Sequence, residues 1–191
     1  MNPSCQYIFL LIAIGLSSLK VQATNDQPKP LFILAENDRE ELQEELEFYS
    51  AELGLDDSAI IKVIFTLKLP EKKDGLIQYQ DNGPGVGRHQ MVIWINRRSM
   101  PSTQSLTLAH ELVHAAQYMA GELVKISDHK FQWKGKEYKT LRMVHRERPW
   151  EKDANERAVS LREGFLEYQK QKQQEREVLM FSGIHPFPEA L

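Results

Sequence analysis

The chain has 191 residues, a formal net charge of −3 at pH 7 and one cysteine, Cys5. This length predicts a single domain that can bury a sizeable core. The mild acidity gives no indication of nucleic acid or of an anionic membrane as a partner.

Residues 7–19 form an apolar run that is too short for a comfortable membrane span. Val21 and Ala23 follow it and fit the small-x-small cleavage rule, so residues 1–23 are predicted to be a secretory signal peptide cut before Thr24. No Lys or Arg precedes the run, which leaves an uncleaved anchor as the alternative. Cleavage predicts a secreted or periplasmic protein without stable membrane insertion. The mature chain would have no cysteine, so a metal site must use histidines and carboxylates.

Residues 24–36 begin as a polar stretch with prolines and are predicted to be a flexible tether. Residues 37–191 are predicted to form one domain. Its first element is a helix from about Asn37 to Leu53, since apolar residues recur there at helical spacing and Gly54 can end it.

Two runs rich in β-branched and aromatic residues, 59–69 and 90–96, are predicted strands. Shorter strands are predicted at 123–126 and 131–133. A long helix should begin at Pro149 and continue to about Leu179.

The pattern H-E-x-x-H at His110, Glu111 and His114 is the strongest chemical signal in the chain. On a helix, residues four apart lie on one face, so the two imidazoles can share a metal ion. Glu111 would lie beside that ion, where it can take a proton from bound water.

The surroundings of this pattern predict the helix that it requires. Neither Gly nor Pro occurs from Gln104 to Ala120, and Gly121 offers a stop. Ser102 or Thr103 is the predicted N-cap. The alternative is a core helix whose histidines have only structural hydrogen bonds.

The third ligand of a catalytic zinc site must come from elsewhere in the chain. The metzincin pattern continues with Gly and His, and here those positions hold Gln117 and Ala120. A carboxylate from another helix is therefore expected. Glu151 is the first choice, because it shares the inward face of its predicted helix with Ala154, and Glu156 is the second. The alternative for Glu151 is an acidic residue that complements the helix dipole.

The segment H-E-L-V-H with a later E-x-x-A-N resembles the gluzincin-type zinc peptidases, in particular the compact ImmA/IrrE-like group. It is also similar to short bacterial and phage zincins with a P-W-E-x-x-A segment. The resemblance implies that His110, His114 and Glu151 bind Zn²⁺ and that Glu111 is the general base. It further implies an α+β minimal zincin-like domain with a small β-sheet, a central HExxH helix and a long C-terminal helix.

The resemblance also suggests a substrate-binding strand. Zincin folds place an edge strand beside the active-site helix, which would be Met91 to Ile95 here, and the alternative is an ordinary core strand. ImmA/IrrE-like enzymes are intracellular and act on transcription regulators, whereas this chain is predicted to be exported. We therefore retain the chemistry and set that substrate aside.

The sequence predicts a zinc metallopeptidase that hydrolyses peptide or protein substrates through a zinc-bound water activated by Glu111. His145 and Tyr138 are candidate transition-state stabilisers, with a structural role as the alternative for each. A non-catalytic zinc-binding cell-envelope protein on the same scaffold is the alternative function, and the intact Glu111 argues against it. A purely structural zinc would favour a fourth protein ligand such as His145 or His129.

Overall fold

The computed structural model describes residues 30–33, 40–69, 73–80 and 89–181. The predicted signal peptide and most of the predicted tether lie outside these ranges. The elements follow one another as β1 (Leu31–Ile33), α1 (Glu40–Leu53), β2 (Ala59–Thr66), β3 (Gly75–Gln80), β4 (His89–Asn96), α2 (Pro101–Met119), β5 (Leu123–Ser127), β6 (Lys130–Trp133), β7 (Lys136–Lys139), a 3₁₀ turn (His145–Glu147) and α3 (Pro149–Phe181). The predicted α+β class with a long C-terminal helix is confirmed.

The first four strands form one sheet in the order β1-β2-β4-β3. β1, β2 and β4 are parallel, and β3 pairs antiparallel with β4. Alternate residues of β2 and β4 point into the core, and Ile61, Val63, Ile93 and Ile95 have no exposed surface.

The strand that the sequence analysis places at an edge, Met91 to Ile95, lies between β2 and β3. The edge prediction is therefore wrong, and the alternative of a core strand is correct. The outer strand beside α2 is instead β3, Gly75–Gln80, which the sequence does not predict. β3 pairs along the side of β4 that would otherwise have been free.

Helix α2 lies against β3 and β4 and carries the H-E-x-x-H segment. It begins at Pro101, with Met100 as N-cap and no side-chain cap, so the predicted caps Ser102 and Thr103 are wrong. Proline suits the first helical position because its missing N–H would have had no partner there. The side-chain amide of Gln104 instead donates to nearby backbone carbonyls, including that of Ser99 at 2.8 Å.

Helices α1 and α3 pack on α2, and the aromatic residues Phe48, Tyr49, Phe165 and Tyr168 join α1 to α3. The second sheet, β5-β6-β7, builds a smaller cluster around Leu123, Trp133 and Trp150. No helix in the described ranges is long and apolar enough to cross a membrane. This packing brings the start of α3 against the middle of α2.

Candidate metal centre

Helix α2 places His110 and His114 one turn apart with their rings turned toward each other. Their Nε2 atoms are 3.1 Å apart, and the two rings are perpendicular. His114 is buried and His110 is partly exposed. Two imidazole nitrogens therefore meet at the border between the protein interior and solvent.

Glu151 in the first turn of α3 brings the third ligand-type atom. Its Oε2 lies 3.4 Å from Nε2 of His110 and 3.4 Å from Nε2 of His114. The residue is buried, whereas Glu156, the second choice from the sequence, is exposed on the same helix. The helical phase that favours Glu151 in the sequence is the phase that α3 has in the structure.

The three atoms have the spacing that a metal ion requires. A tetrahedral zinc ion with ligands at about 2.0–2.1 Å holds them about 3.3 Å apart. The measured separations are 3.1, 3.4 and 3.4 Å. Lone-pair atoms this close repel one another unless a proton or a cation lies among them. The group His110, His114 and Glu151 therefore fits a metal ion.

Glu111 lies beside this group without being one of its three members. Its side chain is buried, and Gly75 of β3 approaches it so closely that a Cβ on Gly75 would lie 2.8 Å from Oε1 of Glu111. The same Cβ would lie 2.4 Å from Cγ2 of Thr107. The edge strand therefore confines the Glu111 carboxylate from the side opposite the helix.

Burial and charge move the pKa values of the two carboxyl groups in opposite directions. Burial raises the pKa of Glu111, although the charges of His114 and His110 oppose it. Burial would also raise the pKa of Glu151, but hydrogen bonds from His110 and His114 hold it well below its usual value. Glu151 is thus kept ionised as a ligand, and Glu111 is more basic than an ordinary carboxylate.

The pKa of His114 is raised. Burial alone would lower it, but the hydrogen bond to Glu151 and the charge of Glu151 outweigh the effect of burial. Tyr118, one turn beyond His114, has its pKa raised to about 12 by burial and by the charges of Glu151 and Glu111. Its ring stacks on Tyr79 of β3 at 4.8 Å. The charges of Glu151 and Glu111 thus favour the protonated form of both His114 and Tyr118.

Gln117 is a buried polar residue at the site for which the sequence analysis predicts no role. Its Oε1 lies 2.7 Å from Nδ1 of His114. Its Nε2 donates to the carbonyl of Trp150 at 3.1 Å and to Oδ2 of Asp153 at 2.8 Å. The only sequence signal is a polar residue within an apolar helical run, and the structure shows that this residue is fully buried.

The remaining candidates are placed differently. Nε2 of His145 lies 3.3 Å from Oε1 of Glu151, whereas His110 and His114 contact Oε2, and burial lowers the pKa of His145. Tyr138 packs in the second cluster, edge-on to Trp150 at 6.0 Å, which favours its structural alternative. His129 is exposed in the turn between β5 and β6.

Comparison with known proteins agrees with the geometry. The family model of the peptidase M78, IrrE N-terminal-like domain, matches residues 57–137. This range is somewhat less than half of the chain and contains the H-E-x-x-H segment, whereas Glu151 lies beyond its end. No curated protein and no solved structure matches the chain.

The resemblance to ImmA/IrrE-like zincins is therefore confirmed for the segment that contains His110, Glu111 and His114. Together with the site, this match suggests a zincin-like peptidase or a related domain.

Proposed function

We propose that this protein is a zinc metallopeptidase that hydrolyses peptide bonds. One observation carries the proposal. Three ligand-type side chains, His110, His114 and Glu151, converge with metal-site spacing, and the buried carboxylate of Glu111 lies beside them. Metal storage or a structural metal would not require such a base. The match to the IrrE N-terminal-like domain supports the same class.

The composition of the ligand group favours a catalytic site over a structural one. Structural zinc sites have four protein ligands, whereas catalytic sites have three and an open position. Among the described residues, the only group of this kind is His110, His114 and Glu151. His145 contacts the other oxygen of Glu151 and is not a member. This composition argues against a structural zinc closed by a fourth protein ligand.

The residues divide the chemistry between them. His110, His114 and Glu151 would hold zinc, which when bound would polarise the scissile carbonyl and lower the pKa of the attacking water. Glu111 accepts a proton from that water as the oxygen bonds to the carbonyl carbon. It then gives the proton to the amide nitrogen as the C–N bond breaks.

The outer position of β3 supports an extended peptide as the substrate. Among the strands that the structure describes, β3 pairs only with β4, and it runs beside α2. Gly75 of this strand adjoins Glu111, so a peptide that adds to the sheet along β3 passes the base. We therefore propose β3, and not Met91 to Ile95 of β4, as the strand that binds substrate.

The test separates the base from the ligands. Glu111→Gln keeps the size of the side chain but cannot accept a proton, so zinc per chain should stay unchanged while casein cleavage falls about 10²–10⁴-fold. His110→Ala should lose zinc and activity together. Cleavage by Glu111→Gln at the wild-type rate would refute the mechanism. If the wild type and Glu111→Gln both bind zinc and neither cleaves casein, the non-catalytic alternative is favoured.

We propose further that the enzyme is secreted or periplasmic. The support is the sequence pattern of residues 1–23, which lie outside the described residues. N-terminal sequencing of the protein from the envelope or the medium should give Thr24 as the first residue. A chain that still begins at Met1 would indicate an uncleaved anchor instead.

A further inference from the structure

The side-chain amide of Gln117 connects the two helices that build the metal centre. On α2 it contacts His114, and on α3 it contacts the carbonyl of Trp150, the residue directly before Glu151. A second contact on α3 is the carboxylate of Asp153. One side chain with no exposed surface thus touches one ligand and the backbone next to another.

The partners on α3 fix which end of the amide faces His114. A backbone carbonyl and a carboxylate can only accept hydrogen bonds, so the NH₂ group of Gln117 must face Trp150 and Asp153. The amide oxygen therefore faces Nδ1 of His114, and this oxygen can only accept. Nδ1 of His114 must consequently carry a hydrogen.

This assignment determines what the other nitrogen can do. A metal ion requires a neutral imidazole, in which only one nitrogen carries a hydrogen, so Nε2 of His114 would offer its lone pair to the ion. Nε2 is the atom that lies 3.1 Å from His110 and 3.4 Å from Glu151. The hydrogen bond from Nδ1 of His114 to Gln117 thus makes Nε2 the nitrogen that can bind a metal ion.

From this geometry we infer that Gln117 is a positioning residue of the metal centre, which sets the metal-binding tautomer of His114 and fixes α3 so that Glu151 reaches the same point. The inference rests on the metal centre of the proposed function. It adds that the centre depends on an uncharged amide as the link between its two helices.

Zinc affinity of the full chain, measured by competition with a chelator of known affinity, tests the inference without relying on catalysis. Gln117→Met removes the amide and nearly keeps the volume. We expect it to weaken zinc binding about 10–100-fold, the usual effect of losing an outer partner of a ligand. The matched control on the same helix is Gln104→Met, whose amide bonds the backbone near Ser99. The control should lower thermal stability and leave zinc affinity unchanged.

A second pair of variants keeps the test informative if Gln117→Met folds poorly. Gln117→Glu still accepts from His114 but places a carboxylate against Asp153, so zinc affinity should fall. Adding Asp153→Asn lets residue 153 donate to the new carboxylate, and affinity should recover in part.

The zinc affinity of the wild type separates a failure of the proposed metal centre from a failure of the role of Gln117. Wild-type protein that fails to bind zinc would overturn the metal centre and the proposed function with it. Wild-type protein that binds zinc no more tightly than Gln117→Met would overturn only the role of Gln117. The role of Gln117 would also be overturned if Gln117→Met lowers the melting temperature of the zinc-free protein but leaves zinc affinity unchanged. Gln117 would then stabilise the packing of the two helices without positioning the metal ligands.

Discussion

The contact between β3 and the proposed base makes Gly75→Ala the most informative single substitution. The added Cβ would lie 2.4 Å from Cγ2 of Thr107 and 2.8 Å from Oε1 of Glu111. Carbon atoms in contact settle at about 3.5–4.0 Å, so the first distance is too short by roughly 1 Å. Threonine is stiff at χ1, whereas the carboxylate ends a flexible side chain. We therefore expect the carboxylate and the strand to move.

A shift on the order of 1 Å at a catalytic group can lower turnover about 100-fold. Gly75→Ala should therefore reduce kcat for casein cleavage by about that factor. Zinc per chain should stay at the wild-type value, because the three atoms nearest the added Cβ belong to Thr107 and Glu111 and none belongs to a proposed ligand. Overpacking at this point should also lower the free energy of unfolding by about 1–3 kcal/mol.

Two further variants separate the effect of the steric clash at residue 75 from the effect of any Gly→Ala substitution. In Gly164→Ala the new Cβ has Phe48 Cζ at 3.4 Å as its nearest neighbour, an ordinary contact on α3. This control should gain up to about 1 kcal/mol of helix stability and keep full activity. Adding Thr107→Ser to Gly75→Ala removes the shortest contact, so it should restore stability and only part of kcat. Wild-type kcat in zinc-loaded Gly75→Ala would refute the reasoning.

Two further predictions concern the ligand set and the stability of the fold. Glu151→Ala should abolish tight zinc binding while Glu156→Ala retains it, as measured by zinc content after dialysis; the reverse result would show that the wrong carboxylate is assigned. Tyr49→Phe should destabilise the fold by about 1–2 kcal/mol in urea denaturation, since buried Glu45 loses a hydrogen bond of 2.9 Å from the Tyr49 hydroxyl. An unchanged free energy of unfolding would show that this hydroxyl adds nothing.

Local periodicity was enough to predict the three ligand-type residues of the site. The spacing of His110 and His114 and the helical phase of Glu151 each depend only on 3.6 residues per turn. The structure brings these three residues together. These residues converge because α3 packs against α2. The buried alanines of the two helices allow this close packing.

Strand order and close approaches could not be predicted in the same way. A strand's position in a sheet depends on its partners, so the strong run of β4 gave no sign that β3 would cover its free side. Gly75 looks like an ordinary turn residue until Glu111 is placed against it. Gln117 looks like a polar interruption of an apolar face until the carbonyl of Trp150 is placed opposite.

The two features that the sequence does not reveal control different parts of the proposed chemistry. The amide of Gln117 lies between α2 and α3, the helices that carry all three ligand-type atoms, and it touches His114 directly. The backbone of Gly75 lies on β3, which carries none of those atoms but confines the carboxylate of Glu111. Metal affinity should therefore depend on the packing of the two helices, and turnover on the position of the edge strand. A substrate that pairs with β3 would act on the strand that holds the base, so binding of the correct peptide would itself help to position Glu111.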